Sequence, residues 1–385
     1  MRVCLVSETW TPDVNGVAHT LNQLSRVLTQ RDVSLQLIRP RPRGETQRAD
    51  NVQAELQVRP LPLPGYDAVQ LGLCRARYIM SFWRQQCPSV VYIATEGPLG
   101  WAALHAARRM AIPVVSGFHT NFDRYANDYG VGWLSGSIQA VLRHFHNRTQ
   151  MTLVPTEAQA AQLRNDGFHH VRVLGRGIDS RHFHPRKRDP VLRHQWGVSE
   201  TQPVALHVGR LANEKNLDLL VESIHAMQRV QPDLVTVLVG DGPMRKTLQE
   251  RLPDTVFTGF IDNQELARHY ASADIFLFPS CSETYGNVVI EAMASGLGVI
   301  AFDDAAAAEL IDNDHNGIKI PLGDNADFVT KAVMLCQHPA TYSRLGHAAR
   351  QRVLSRSWTQ VANEFLDTLQ QVQEVADDAS HPCRL

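Results

Sequence analysis

Short apolar runs alternate with segments of helical spacing along almost the whole chain. Residues 2–7 read as a buried strand. Residues 18–31 then place Leu21, Leu24, Val27 and Leu28 on one helical face. Residues 34–38 form a second strand, and residues 39–64, rich in Pro and Arg, predict an irregular stretch with one short strand near 57–59. Strands at 89–93, 113–117 and 151–155 and helices at 100–110 and 156–166 continue the theme. The pattern restarts with a strand at 204–208 and an amphipathic helix at 216–230. Strands follow at 234–239, 256–257, 275–278 and 298–302, with helices at 244–251, 326–336 and 340–356. This alternation predicts an α/β protein with parallel, doubly wound sheets. The restart predicts two of them, in residues 1–185 and 200–358, with a hinge around 183–203. A single large sheet is the alternative, and the restart at Val204 argues against it.

At 385 residues the chain is long enough for two such domains, and 44% hydrophobic content is ordinary for a globular protein. No stretch approaches the ~20 apolar residues of a membrane span. The first strand meets Glu8 too soon for a signal peptide, so a cytoplasmic protein is expected. Six scattered cysteines lack metal-ligand spacing and read as reduced thiols. The net charge of −1 conceals an asymmetry: residues 1–190 carry +9, with 22 Arg and a single Lys, and residues 191–385 carry −10. An Arg-rich half suits anionic lipid, phosphate or nucleic acid. Ordinary surface charge and attraction between unlike halves is the plainer reading. No aromatic stacking platform accompanies the cations, so no nucleic acid is expected.

The densest chemistry is Ser282-Glu283-Thr284-Tyr285-Gly286-Asn287, followed by Val288 and Glu291. A strand runs into a polar loop that opens a helix through Gly286, Asn287 and Val288. N–H groups at a helix start bind anions, because the first turn has no internal acceptors. Glu283 on the loop and Glu291, about two turns on, can grip hydroxyls on either side of such an anion. A second loop, Gly209-Arg210-Leu211-Ala212-Asn213-Glu214-Lys215, offers a guanidinium fork and a compact ammonium to a diphosphate. A charged loop with Glu214 paired to Lys215 is the alternative there. Gly16 could bring backbone N–H groups close to a phosphate, or simply make a turn. His119 follows a strand at the carboxyl edge of the sheet, where ligands bind in such folds.

These segments together resemble the family 4 retaining glycosyltransferases of the GT-B fold, over nearly the whole chain. Pro62-Leu63-Pro64-Gly65-Tyr66 and Glu96-Gly97-Pro98-Leu99-Gly100-Trp101 resemble the branch of GDP-mannose-dependent mannosyltransferases and sulfoquinovosyl- or glycosyl-diacylglycerol synthases. The resemblance implies two Rossmann-like domains facing a central cleft, with a last helix at 359–375 crossing back to the first. It implies transfer of a hexosyl group from a GDP- or UDP-linked sugar. Arg210 and Lys215 would hold the diphosphate, Glu291 the ribose, Glu283 the sugar hydroxyls, and Gly259, Phe260 and Ile261 the base. Gly209, Tyr285, Gly286, Asn287 and Val288 would line the donor site, and Gly16 would approach from the first domain. His119 would orient the sugar without serving as general base, the leaving phosphate taking the acceptor proton. Arg176 belongs either to the cleft or to a structural turn, and Gly240-Asp241-Gly242-Pro243 reads as structural. A Gly-Gly turn usual in the family is replaced by 303–309, which leaves that segment's donor contact open. The chain reads as lacking an Asp-x-Asp motif, so neither metal nor other cofactor is expected. The expected acceptor is a membrane glycerolipid, reached by peripheral contact of residues 1–190 with the inner face of the cell membrane. A soluble or polysaccharide acceptor, or a nucleotide-sugar 2-epimerase of the same fold, is the alternative.

Overall fold

The computed structural model describes residues 1–13, 15–42, 48–63, 66–119, 135–281 and 283–380. Val14, residues 64–65, 120–125 and 132–134, Ser282 and Cys383 lie outside them. The chain divides into two compact units, Met1–Arg176 with Trp358–Leu385, and Gly177–Ser357. This division falls earlier than the hinge expected at 183–203. Ile178, Phe183, Leu192 and Trp196 are buried in the second unit's core and fix that segment there.

The first unit runs β1 (Arg2–Val6), α1 (Gly16–Thr29), β2 (Ser34–Pro40), β3 (Ala54–Leu63), β4 (Tyr66–Leu73), α2 (Ala76–Gln86), β5 (Val90–Ile93), α3 (Pro98–Arg109), β6 (Val114–Gly117), α4 (Ser135–His146), β7 (Met151–Val154), α5 (Glu157–Asn165) and β8 (Val171–Val173). The sheet order is β4-β3-β2-β1-β5-β6-β7-β8. All neighbours are parallel except β3 and β4. That hairpin occupies the stretch expected to be mostly irregular. Pro60 and Pro62 are tolerated because the pairing of β3 with β2 ends at Val58. Helix α2 begins at Ala76, since 71–73 still pair with β3. Alternate residues separate two cores, one on each face of the sheet: Val3, Leu5, Leu35 and Tyr92 on one, Cys4, Val6, Ile38 and Val91 on the other. The C-terminal helix Trp358–Ser380 buries Trp358, Phe365 and Leu369 in the first of these cores.

The second unit runs α6 (Pro190–Gln195), β9 (Val204–Val208), α7 (Leu217–Val230), β10 (Val235–Val239), α8 (Arg245–Arg251), β11 (Val256–Gly259), α9 (Asn263–Ser272), β12 (Ile275–Phe278), α10 (Asn287–Ala294), β13 (Gly298–Phe302), α11 (Ala305–Leu310), β14 (Ile318–Ile320), α12 (Asn325–Cys336) and α13 (Pro339–Val353). Its six parallel strands lie in the order β11-β10-β9-β12-β13-β14. This is the doubly wound order that reverses beside the first strand, and ligands bind outside the carboxyl ends at such a reversal. In this unit the reversal falls between β9 and β12, and in the first unit between β1 and β5. Among the described residues no helix is long and apolar enough to cross a membrane.

Candidate active site

The two strands at the reversal point of the second unit carry the two loops singled out in the sequence. After β9 the chain turns through Gly209–Ala212 into a 3₁₀ turn, Asn213–Lys215. Asn216 then takes a left-handed conformation, φ 53°, ahead of α7. The Gly240-Asp241-Gly242-Pro243 turn supports this loop from behind. Leu211 N donates to Asp241 O at 2.9 Å, and Met244 N to Leu211 O at 2.9 Å. A Cβ at Gly240 would lie 2.0 Å from the Gly209 carbonyl oxygen, so only glycine permits the approach.

After β12 the second loop presents Glu283, whose carboxylate meets Lys215 Nζ at 2.5 Å and accepts from Ser280 Oγ at 2.8 Å. Two candidates 68 residues apart are thus brought into one largely buried ion pair, with side chains 16% and 18% exposed. Arg210 is more open, 52% exposed, and lies 3.5 Å from Glu214. Glu214 therefore faces Arg210 rather than Lys215, contrary to the alternative raised from sequence. Gly286, at φ 83°, turns the chain into α10 without a side-chain cap. Glu291 is only four residues past the first residue of that helix, about one turn rather than two. Its carboxylate accepts from the buried Tyr270 hydroxyl at 3.0 Å. Burial pushes the Glu291 carboxyl up to about 7, against the opposing effect of the Tyr270 bond. Tyr285 is buried, Val288 packs against the core, and Asn287 is the first residue of α10.

A small hollow is lined by Ser280, Glu283 and Tyr285 on one side and Asp304, Ala305 and Ala307 on the other. Ala306 N donates to Tyr285 O at 2.7 Å. The segment without the Gly-Gly turn is therefore adjacent to Glu283, and Ala305 adopts φ 49° where a glycine would be unstrained. Gly259, at φ 73°, lies against Arg245, and a Cβ there would meet its guanidinium at 3.0 Å. Phe260 beside it is 75% exposed, while Ile261 packs on the core.

In the first unit Gly16 opens α1, and Asn15 caps that helix by accepting from Val17 N and Ala18 N. His119 lies just past β6 and is buried. Arg176 Nη2 donates to its Nδ1 at 3.0 Å, so the ring proton sits on Nε2, which contacts the Tyr92 hydroxyl at 2.9 Å. A Cβ at Gly117 would fall 2.2 Å from that hydroxyl, so the glycine makes room for the pair. Burial, then the charge of Arg176, hold the His119 imidazole well below its usual pKa. The ring is neutral, with both nitrogens engaged. Arg176 is buried and belongs to this cluster.

Two features were not legible from sequence. Glu8, at the reversal point of the first unit, accepts from Gly72 N at 3.2 Å and Leu99 N at 3.1 Å, and burial pushes its carboxyl up to about 7. His207, buried on β9, lies with Nδ1 3.0 Å from Leu277 O, and its Nε2 has no partner among the described residues. Burial, with the Lys215 charge adding, pushes its pKa down to about 4. The expectation that the chain lacks an Asp-x-Asp motif is corrected by Asp312-Asn313-Asp314. This triplet forms the turn before β14, where Asp314 N donates to Gly317 O at 2.9 Å and Asn313 Oδ1 accepts from Lys319 N at 3.0 Å. Among the described residues no three His, Cys, Asp or Glu side chains gather closely enough to hold a metal ion.

Comparison with known proteins adds the family. Residues 14–182 match the model described as Glycosyltransferase Family 4, and residues 202–338 that described as Glycosyl transferases group 1. The chain is 35% identical over 370 residues, 95% of each chain, to a GDP-mannose-dependent alpha-mannosyltransferase of Mycobacterium tuberculosis. It is 25% identical to an alpha-monoglucosyldiacylglycerol synthase of Acholeplasma laidlawii, over 91% of this chain and 92% of the other. Its fold is shared with the sucrose-phosphate synthase of Thermosynechococcus elongatus, at a TM-score of 0.79 and 18% identity, over 97% of this chain and 100% of that one. The chain therefore belongs to the family 4 glycosyltransferases, with two Rossmann-like domains of the GT-B type, and transfers a sugar from a nucleotide sugar.

Proposed function

We propose that this enzyme is a retaining, metal-independent mannosyltransferase that moves mannose from GDP-mannose to a membrane glycerolipid. The observation that carries the donor side is the Lys215–Glu283 pair at the β9–β12 reversal, beside the helix start at Gly286. A diphosphate placed there meets Lys215, the Arg210 guanidinium and the first N–H groups of α10. These groups stabilise charge as it develops on the departing phosphate. Once the phosphate engages Lys215, the Glu283 carboxylate turns to accept from the sugar hydroxyls. Glu291 takes the ribose. The neutral imidazole of His119, fixed by Arg176 and Tyr92, accepts no proton. The likeness to a GDP-mannose-dependent enzyme over 95% of both chains supports the donor.

The glycerolipid acceptor is supported by the likeness to a diacylglycerol glucosyltransferase and by the +9 charge of residues 1–190. Helix α2 adds an exposed face of Arg77, Tyr78 and Arg84, with the Arg77 guanidinium 4.8 Å from the Tyr78 ring centre. Basic residues with an aromatic neighbour suit reversible contact with anionic headgroups, each cation contributing about 1 kcal/mol near the surface.

The test is transfer from GDP-mannose, GDP-glucose, UDP-glucose and ADP-glucose to diacylglycerol in anionic vesicles, with and without EDTA, the product anomer read by NMR. An α-mannosyl lipid, formed equally with EDTA, is expected. Efficient transfer to a soluble sugar with none to lipid would sink the acceptor, and a preference for UDP-glucose would sink the donor.

A further inference from the structure

A second concave site lies in the first unit, away from every residue placed in the reaction. Helix α3 presents Trp101, His105 and Arg108 at i, i+4 and i+7, one stripe along its surface. Arg109 adjoins it. The end of α4 faces this stripe: His144 stacks on Trp101 at 6.0 Å, and Phe145 meets it edge-on at 5.0 Å. Arg148, two residues past α4, completes a concavity lined by Trp101, Leu104, His105, Arg108, Arg109 and Arg148.

Three guanidiniums share this hollow, and among the described residues no carboxylate lines it. None of the three makes an ion pair or a side-chain hydrogen bond among the described residues. Elsewhere in the chain Arg39 pairs with Glu55 at 2.6 Å, and Arg188 and Arg193 share Asp274. A cation near a helix C-terminus is favoured by the dipole, which accounts for Arg108 and Arg109 on α3 singly. It does not account for three like charges from two elements meeting around one hollow. Their mutual repulsion is relieved when an anion enters, and a guanidinium fork matches phosphoryl oxygens two at a time. The Trp101 and His105 rings form a wall for the organic body of a phosphate ester.

We propose that this hollow binds the phosphoryl group of a phosphate monoester or diphosphate. Arg109 and Arg148 lie a few residues before β6 and β7 begin, at the amino edge of the sheet. Gly16 and His119 follow the carboxyl ends of β1 and β6, at the opposite edge. The phosphoryl group held here is therefore not the one that departs in sugar transfer. It reaches the site either free in solution or as a lipid headgroup.

The test uses the full chain with GDP at saturation, so that the donor site is filled. Pyrophosphate is titrated by calorimetry, and vesicles of phosphatidic acid in phosphatidylcholine are tested by flotation. Both are repeated with the Arg108→Gln/Arg148→Gln double variant and, separately, with Arg109→Gln. Pyrophosphate binding at least tenfold weaker in the double variant, with GDP affinity and melting temperature unchanged, is the expected result for a soluble ligand. Vesicle binding lost in the double variant, without pyrophosphate binding, assigns the phosphoryl group to a lipid. No binding of either probe, or equal binding by wild type and all variants, overturns the proposal. Unchanged GDP binding separates that failure from any failure of the donor assignment.

Discussion

Tyr270→Phe should turn the donor site into a reporter of one proton. Glu291 sits with its carboxyl pushed up to about 7 by burial, and the Tyr270 hydroxyl, 3.0 Å away, is what opposes that push. A hydrogen bond to a charged group contributes about 1.5–3 kcal/mol, so its loss should raise the Glu291 midpoint by about 1–2 pH units. If the ionised carboxylate holds the ribose, the wild type gains about tenfold in GDP affinity between pH 6 and pH 8 as a group of pKa near 7 ionises. At pH 7.5 the ionised fraction falls from roughly three-quarters to between about 3% and 25%, so Tyr270→Phe should bind GDP about three- to twenty-fivefold more weakly. At pH 9.5 the two proteins should agree closely. Calorimetric titration with GDP from pH 5.5 to 9.5 checks this, taking the ratio of the two affinities at each pH so that titration of the ligand cancels. A ratio that does not change with pH would refute the reasoning and leave Tyr270 a packing residue.

Two further outcomes follow from the same geometry. Lys215→Ala and Arg210→Ala should each lower turnover at least tenfold, on the order of 1.4 kcal/mol, with the larger loss at the more buried Lys215. GDP release under saturating donor measures it, and near-wild-type rates in both would remove them from the leaving group. Glu8→Gln should flatten part of the pH dependence of stability. The folded carboxyl binds its proton more tightly, near 7 against an ordinary 4.5, so the native state holds the extra proton between those values and wild-type stability falls as pH rises through that window. The full cost, reached above pH 7, is about 3 kcal/mol. Gln keeps an acceptor for Leu99 N and Gly72 N without the charge. Urea unfolding at pH 5 and pH 8 should show a smaller difference in the variant, and an equal difference would exclude Glu8 as the source.

What the sequence disclosed, and what it withheld, divides along one physical line. Strand alternation and helical spacing are local, so the parallel sheets and the strand-to-loop positions of Gly209, Glu283 and His119 could be read directly. The β3–β4 hairpin was hidden because Pro60 and Pro62 argue against a strand until the register with β2 is known to stop at Val58. Chemistry was legible as residue type and hidden as pairing. Lys215 and Glu283 each read as a ligand, yet their partnership spans 68 residues. Tyr92 and Tyr270 gave no sign of a site role in the sequence, because a buried tyrosine differs from phenylalanine only through the partner of its hydroxyl. Those partners, His119 and Glu291, lie 27 and 21 residues further along the chain. Glu8 looked like an interruption of a signal-like segment. It accepts from the N–H of Leu99, 91 residues away, and anchors the start of α3. The sequence thus places ionisable groups at the right edge of each sheet. Their protonation is set by distant tyrosines, arginines and amide groups, and with it which of them can carry charge to a diphosphate, a ribose or a sugar. That is why the Tyr270→Phe experiment probes the site more directly than replacement of Glu291 itself. It changes the charge of the carboxylate and leaves the carboxylate in place.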